Sequence, residues 1–141
     1  MAAENEAFNI SRRICPSWLE DESERRETEP YVYAQTVTGR ASGNPGHAKN
    51  SWLTGTASRT FLSVSQAILG VQPDFDGLRV RPCLPDELME YTVRQRFRGA
   101  EYVIHVRRTG TWSMTAGGLA VEGNLIPAAS TGTRVNVEVT V

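Results

Sequence analysis

Two cysteines and two histidines in 141 residues leave little material for thiol or imidazole chemistry. Cys15 and Cys83 form neither a metal-ligand spacing nor a disulfide framework. His47 and His105 are too few for a histidine-based metal site or a catalytic relay, so no metal and no bound cofactor are expected. Long apolar runs are missing as well: the longest, near Ala67 to Val71, falls far short of the roughly 20 residues that span a bilayer. Neither charge sign is in excess. Fifteen basic residues against sixteen acidic ones give a net charge of −1, which excludes the basic footprint of a nucleic-acid binder. The opening "MAAENEAFNISRR" has no apolar segment of the kind a secretory leader needs, so a reducing cytoplasm is the expected compartment.

What is present is 40% apolar and 22% charged, the balance of a globular chain, with a change of period part-way along it. In "AAENEAFNISRRICPSW", Phe8, Ile10 and Ile14 give a rough helical stripe that Pro16 stops. "LEDESERRETEP" mixes acid and base and reads as a solvated helix face or surface connection. "PYVYAQTVTG" follows, in which Tyr31, Val32, Tyr33 and Ala34 look buried. Residues 39–50, "GRASGNPGHAKN", are a loop dense in Gly, Pro, Ser and Asn. Leu53, Ala57, Phe61, Val64 and Ile68 then fall at spacings of four, four, three and four, which predicts one helix face. That helix starts near Ser51 to Thr54, and Gly70 closes it.

Beyond Gly70 the period becomes two. Tyr91, Val93, Gln95 and Phe97 alternate with Thr92, Arg94 and Arg96; Tyr102, Ile104 and Val106 alternate with Val103, His105 and Arg107. Arg98-Gly99-Ala100 between them predicts a hairpin. Val135, Val137, Val139 and Val141 repeat the pattern, and Leu119 to Ile126 reads as a short strand pair or bend around Gly123-Asn124. The fold class expected is α+β: helices before Gly70, with no strand pairing before residue 50, then an antiparallel sandwich from about Leu78 onward.

The hydroxyl-rich "LTGTA" at residues 53–57 stands where that helix begins. Two readings compete there. Thr54 is an ordinary N-cap, the reading the residues favour by themselves. Alternatively, a helix start with unpaired N–H groups, the Thr54 and Thr56 hydroxyls and a Gly55 without Cβ form a cradle for an anion.

Four blocks bear on that choice. "EPYVYAQ" (29–35), "AKNSWLTGTA" (48–57), "ILGVQPDFDGLRVRPCLP" (68–85) and "FRGAEYVIHV" (97–106) resemble, in the same order, the C-terminal part of the inverting glycoside phosphorylases of glycoside hydrolase family 94. The resemblance runs over residues 5–127. It implies that residues 1–70 are the last helices of an (α/α)6 catalytic barrel and residues 71–141 a C-terminal β-sandwich. On this reading the chain is a C-terminal fragment, which accounts for a helical half too small to make its own core.

The family reaction is reversible phosphorolysis. Inorganic phosphate, a substrate and not a cofactor, attacks the anomeric carbon of a β-linked disaccharide or oligosaccharide and inverts it to an α-sugar 1-phosphate. A carboxylic acid protonates the leaving oxygen; no base is needed because phosphate is already an anion. The resemblance assigns phosphate binding to Thr54 and Gly55 and sugar binding to Gln35, and it implies a homodimer for full-length relatives. The general acid and the phosphate histidine of the family belong to upstream motifs, so no catalytic residue is expected among these 141. Neither Asp21, Asp74, Asp76 nor Asp86 sits in the acid's motif, and His47 reads as a loop residue.

Tyr33 and Trp52 could stack on sugars but read first as core aromatics, while Lys49 and Asn50 shape the loop. Ser58-Arg59 departs from the family where many relatives carry an aromatic, which leaves fine specificity open. The alternative function is a non-catalytic carbohydrate-binding or structural β-sandwich module, which needs exposed aromatics from among Tyr91, Tyr102 and Trp112.

Overall fold

A computed structural model describes residues 2–141, which divide into two compact units. One is Glu6–Ser63; the other joins the residues up to Asn5 with Val64–Val141. Helix α1 (Ala2–Ile14) ends where Pro16 opens a 3₁₀ turn, as its missing N–H requires. A second 3₁₀ turn (Glu20–Glu22) and a one-turn helix α2 (Ser23–Arg26) carry the charge run along the surface. Among the described residues no helix is long and apolar enough to cross a membrane.

The helical unit departs from expectation in three places. First, it contains strands: β1 (Thr36–Val37) pairs antiparallel with β2 (Ala48–Lys49), so strand pairing does occur before residue 50. The Thr-Val-Thr stretch suits an extended backbone. Thr38 closes the ladder, its N–H donating to the His47 carbonyl at 2.9 Å and its hydroxyl donating to the carbonyls of Asn44 and His47. Second, Tyr31 is 70% exposed, and of its run only Val32 is buried. Third, helix α3 begins at Thr56, not at Ser51 to Thr54, and covers only Thr56–Leu62 before passing into a π-helical stretch, Ser63–Ile68. There the Leu69 N–H reaches back five residues to the Val64 carbonyl at 2.8 Å. This wider turn carries side chains off the 3.6-residue repeat. The predicted stripe is thereby broken: Leu53 lies outside the helix at 85% exposure, Phe61 is exposed and Ile68 is buried.

The second unit is all strand beyond Gly70. β3 (Val71–Pro73), β4 (Gly77–Val80) and β9 (Leu125–Pro127) form an antiparallel three-stranded sheet, so strands begin before Leu78. The larger sheet runs β5 (Glu90–Phe97), β6 (Ala100–Arg107), β10 (Arg134–Thr140), β7 (Ser113–Ala116), β8 (Leu119–Ala120) in spatial order. It is mixed, contrary to the all-antiparallel expectation: β10 lies parallel to β6, with Val137 opposite Ile104 and Val139 opposite Val106. Residues 119–126 are likewise not one hairpin, because β8 pairs with β7 and β9 with β4.

The alternation read from sequence does hold. Tyr102, Ile104, Val106, Val137 and Val139 are buried and meet Leu78, Val80 and Ile126 of the smaller sheet in one apolar core. Arg98 and Gly99 both have positive φ (49° and 78°), the two-residue turn that matches strand twist between β5 and β6. Asp74 and Asp76 form the β3–β4 turn. Hydrogen bonds from Arg79, at 3.1 Å through Nε and 2.6 Å through Nη2, hold the Asp74 carboxyl below the usual carboxylate range. The aromatics a carbohydrate-binding sheet would display are mostly committed. Tyr102 is fully buried, and the half-buried Tyr91 donates its hydroxyl to the Leu69 carbonyl at 2.7 Å.

Candidate functional site

The predicted site residues all fall in the Glu6–Ser63 unit. Thr54 turns the chain into α3. Its Oγ1 accepts the Thr56 N–H at 3.0 Å and lies 2.7 Å from the Thr56 hydroxyl. One of the two hydroxyl hydrogens bridges the pair, which leaves the other available to a further acceptor. Gly55 is the N-cap, and its carbonyl accepts the Arg59 N–H at 3.1 Å. The N–H groups of Ala57 and Ser58, in the first helical turn, have no acceptor within the helix.

Gly55 is not required by backbone conformation. Its φ is −81°, and a Cβ built there would meet nothing within 4 Å. The open side of Gly55 therefore faces space that a ligand could occupy. Both readings of "LTGTA" keep support: Thr54 does accept an N–H, and a spare hydroxyl hydrogen, two first-turn amides and an open glycine follow one another along the segment.

Gln35 sits at the start of the β1–β2 ladder. Its N–H donates to the Lys49 carbonyl at 3.1 Å, and its Oε1 accepts from Asn50 Nδ2 at 2.8 Å. Asn50 has a φ of +55°, a left-handed conformation that asparagine tolerates, and this bends its amide back onto Gln35. Asn50 thus shapes the loop, as expected.

Gln35 and Thr56 line the same hollow, of about 350 Å³, together with Tyr33, Thr36, Arg13 and Arg26. Thr54 lines a smaller one of about 170 Å³ with Tyr31, Tyr33 and Trp52. Tyr33 borders both, so the structure brings Gln35 and the Thr54–Thr56 segment to neighbouring clefts. Trp52 is not a core aromatic. It is 68% exposed, meets Tyr31 edge to face with ring centroids 6.3 Å apart, and donates its Nε1–H to Glu29 Oε1 at 3.0 Å. That bond holds the Glu29 carboxyl below its ordinary range.

Half-buried Tyr33 has its phenol pushed up, by burial first and then by the neighbouring Cys15. Burial works to raise the Cys15 thiol too. Hydrogen bonds from the Ser17 side chain and backbone, from Tyr33 and from the Trp18 backbone outweigh it and leave the thiol lowered. His47 pairs with Glu27 at 3.3 Å and remains a loop residue. Sequence reasoning missed Arg13 and Arg26. Their only signal was the doubled arginine at 12–13 and 25–26, which is common on solvated helices.

Residues 1–70 match the family model for the glycosyl hydrolase 94 superfamily, catalytic domain, and residues 72–113 match that for the glycosyl hydrolase family 65, C-terminal domain. The chain belongs to the glycosyl hydrolase 94 superfamily. Among family 94 relatives, the N,N'-diacetylchitobiose phosphorylase of Vibrio proteolyticus is 39% identical over 128 residues, which are 87% of this chain and 16% of that protein. The solabiose phosphorylase of Paenibacillus borealis is 31% identical over 140 residues, 96% of this chain and 18% of the relative. Similarity also extends to the cyclic beta-(1,2)-glucan synthase NdvB of Rhizobium meliloti, 32% identical over 101 residues, which are 72% of this chain and 4% of that protein. The chain thus spans less than a fifth of the length of these family 94 relatives.

The family 94 unit leaves Tyr31, Trp52, Leu53 and Phe61 largely exposed, a large apolar display for so small a body. The purified chain is expected to enhance the fluorescence of an apolar dye under native conditions. Leu53→Gln with Phe61→Gln should cut that enhancement at least about two-fold, since one branched chain and one ring, 85% and 70% exposed, leave the apolar display together. An unchanged dye signal in the double variant would show that the dye binds elsewhere.

Proposed function

We propose that this chain supplies phosphate-binding and sugar-binding residues to a glycoside phosphorylase, and that Thr54 and Gly55 hold the inorganic phosphate which attacks the anomeric carbon. The reading is supported chiefly by the Thr54-Gly55-Thr56 turn within a segment similar to phosphorylases. That short turn carries a hydroxyl hydrogen not used between the two threonines, first-turn amides and a glycine with open space beside it. Neutral donors at a helix start suit a tetrahedral dianion, which accepts hydrogen bonds and gains from the partial positive charge of the helix end. Gln35 would hold a sugar hydroxyl through its amide, oriented by Asn50.

The reaction on this reading is reversible phosphorolysis of a β-linked disaccharide or oligosaccharide. Phosphate oxygen forms the new bond to the anomeric carbon with inversion, the glycosidic C–O bond breaks, and an acid protonates the departing oxygen. We assign that acid to none of the aspartates here. Asp74 is clamped by Arg79 in a turn, and Asp86 accepts from Asn5 Nδ2 at 2.8 Å, far along the sequence from the Thr54 turn. The 141 residues alone are therefore expected to release no sugar 1-phosphate from β-linked disaccharides and phosphate. A chimera that places them after the upstream part of the Vibrio proteolyticus relative should release it. Turnover by the chain alone, or a folded chimera that binds sugar yet never consumes phosphate, would overturn the proposal.

A further inference from the structure

We propose that Arg13 and Arg26 form a clamp for the oxyanion of a sugar-sized ligand in the larger cleft. The sequence contains two Arg-Arg pairs in this unit, and the members of each pair are used differently. Arg12 lies over the Trp18 ring, 3.8 Å from its centroid, and Arg25 pairs with Glu22. The second arginine of each pair, Arg13 and Arg26, lines the cleft and has no ion pair, hydrogen bond or ring partner among the described residues.

Among the described residues no acidic one lines that cleft, so two guanidinium charges stand on its wall with no carboxylate beside them in the lining. The remaining polar side chains are the Gln35 amide and the Tyr33, Thr36 and Thr56 hydroxyls, all able to donate. Two guanidiniums that share a cleft with neutral donors match a carboxylate or a phosphate ester, because each fork offers two parallel N–H bonds to an oxyanion. The volume of about 350 Å³ is in the range of small-molecule sites, roughly 300–1,000 Å³, and exceeds what a bare anion fills. A monosaccharide bearing one anionic group fits that description. This inference goes beyond the phosphate role of Thr54 and Gly55 and does not rest on it: it concerns the charge that the ligand itself carries into the cleft.

The test is calorimetric titration of the whole chain at low ionic strength with four probes: glucose 1-phosphate, glucuronate, inorganic phosphate and glucose. The two anionic sugars should bind, inorganic phosphate should bind more weakly, and glucose should give no heat. Arg13→Gln and Arg26→Gln should each weaken anionic-sugar binding by about ten-fold, and the double variant should abolish it. Arg→Lys at either position should fall between, since it keeps charge and loses the fork. Arg40→Gln, which removes the same charge from the exposed loop, should change little. Circular dichroism of each variant separates loss of binding from loss of fold.

Glucuronate contains no phosphorus, so its arm decides the clamp whatever becomes of the phosphate reading. Binding of glucose as tight as glucose 1-phosphate, arginine variants that match Arg40→Gln, or no binding of either anionic sugar would each overturn the clamp. Inorganic phosphate binding as tightly as both sugars would overturn the sugar-sized ligand.

Discussion

In a full-length phosphorylase carrying this segment, Gly55→Val is expected to raise the KM for phosphate and to depress turnover. The phosphate-dependent rate constant should fall on the order of 10- to 100-fold. That is the equivalent of one charge-assisted hydrogen bond, about 1.5–3 kcal/mol. The branched side chain would stand in the space beside Gly55, which is open in the structure. Thr54→Val should do less to phosphate: it removes the hydroxyl bonded to Thr56 while keeping the shape. Affinity for the sugar should barely move. Gly55→Ala is the informative partner. At a φ of −81° with no neighbour within 4 Å, the restriction of the unfolded chain is offset by alanine's poorer fit at an N-cap, so stability should stay within about 1 kcal/mol of the wild type. A phosphate defect in a variant of undiminished stability would separate ligand from cap. If Gly55→Val and Thr54→Val bind phosphate normally and lose only thermal stability, "LTGTA" is a helix start and nothing more.

The largest stability loss is expected at Gly70. Its φ is +71°, and a Cβ there would lie 2.1 Å from the Arg81 carbonyl oxygen and 2.5 Å from the Pro82 nitrogen. Both are backbone atoms, so no side chain can swing aside. Relief would have to pull the chain from the Arg81 N–H, which donates to the Gly70 carbonyl at 2.8 Å, and then open the Val71–Val80 pair beside it. Gly70→Ala should therefore cost the left-handed penalty of about 1–2 kcal/mol plus the clash, at least about 3 kcal/mol together. Gly117→Ala is the control. Its φ is +58° with nothing within 4 Å, so only the conformational penalty applies. Thermal melts should place Gly70→Ala roughly 12 °C or more below the wild type, with Gly117→Ala lowered by no more than about two-thirds as much. Equal shifts would mean that the β3–β4 corner gives way more easily than its geometry implies.

The sequence by itself determined which residues of the strand-rich half face inward. Side chains alternate across a strand whatever the partner, so Tyr102, Ile104, Val106, Val137 and Val139 could be named as core before any pairing was known. It determined the β5–β6 turn for the same kind of reason, because Gly99 beside Arg98 suits a left-handed pair of residues. Its ordered blocks also carried the family. Partners, by contrast, are non-local. That β10 runs parallel to β6, and that Thr36–Val37 finds Ala48–Lys49 across a loop, depends on which edges are free once the rest has packed. Local pattern contains no such information. The 3.6-residue stripe from Leu53 to Ile68 failed because Thr54 takes the Thr56 N–H and because a π-helical turn shifts the register, two bonds that hydropathy does not record. The cleft was least legible of all. One arginine of each doubled pair is committed to Trp18 or Glu22 and the other is left to the hollow, a division made by where the folded chain sets its neighbours.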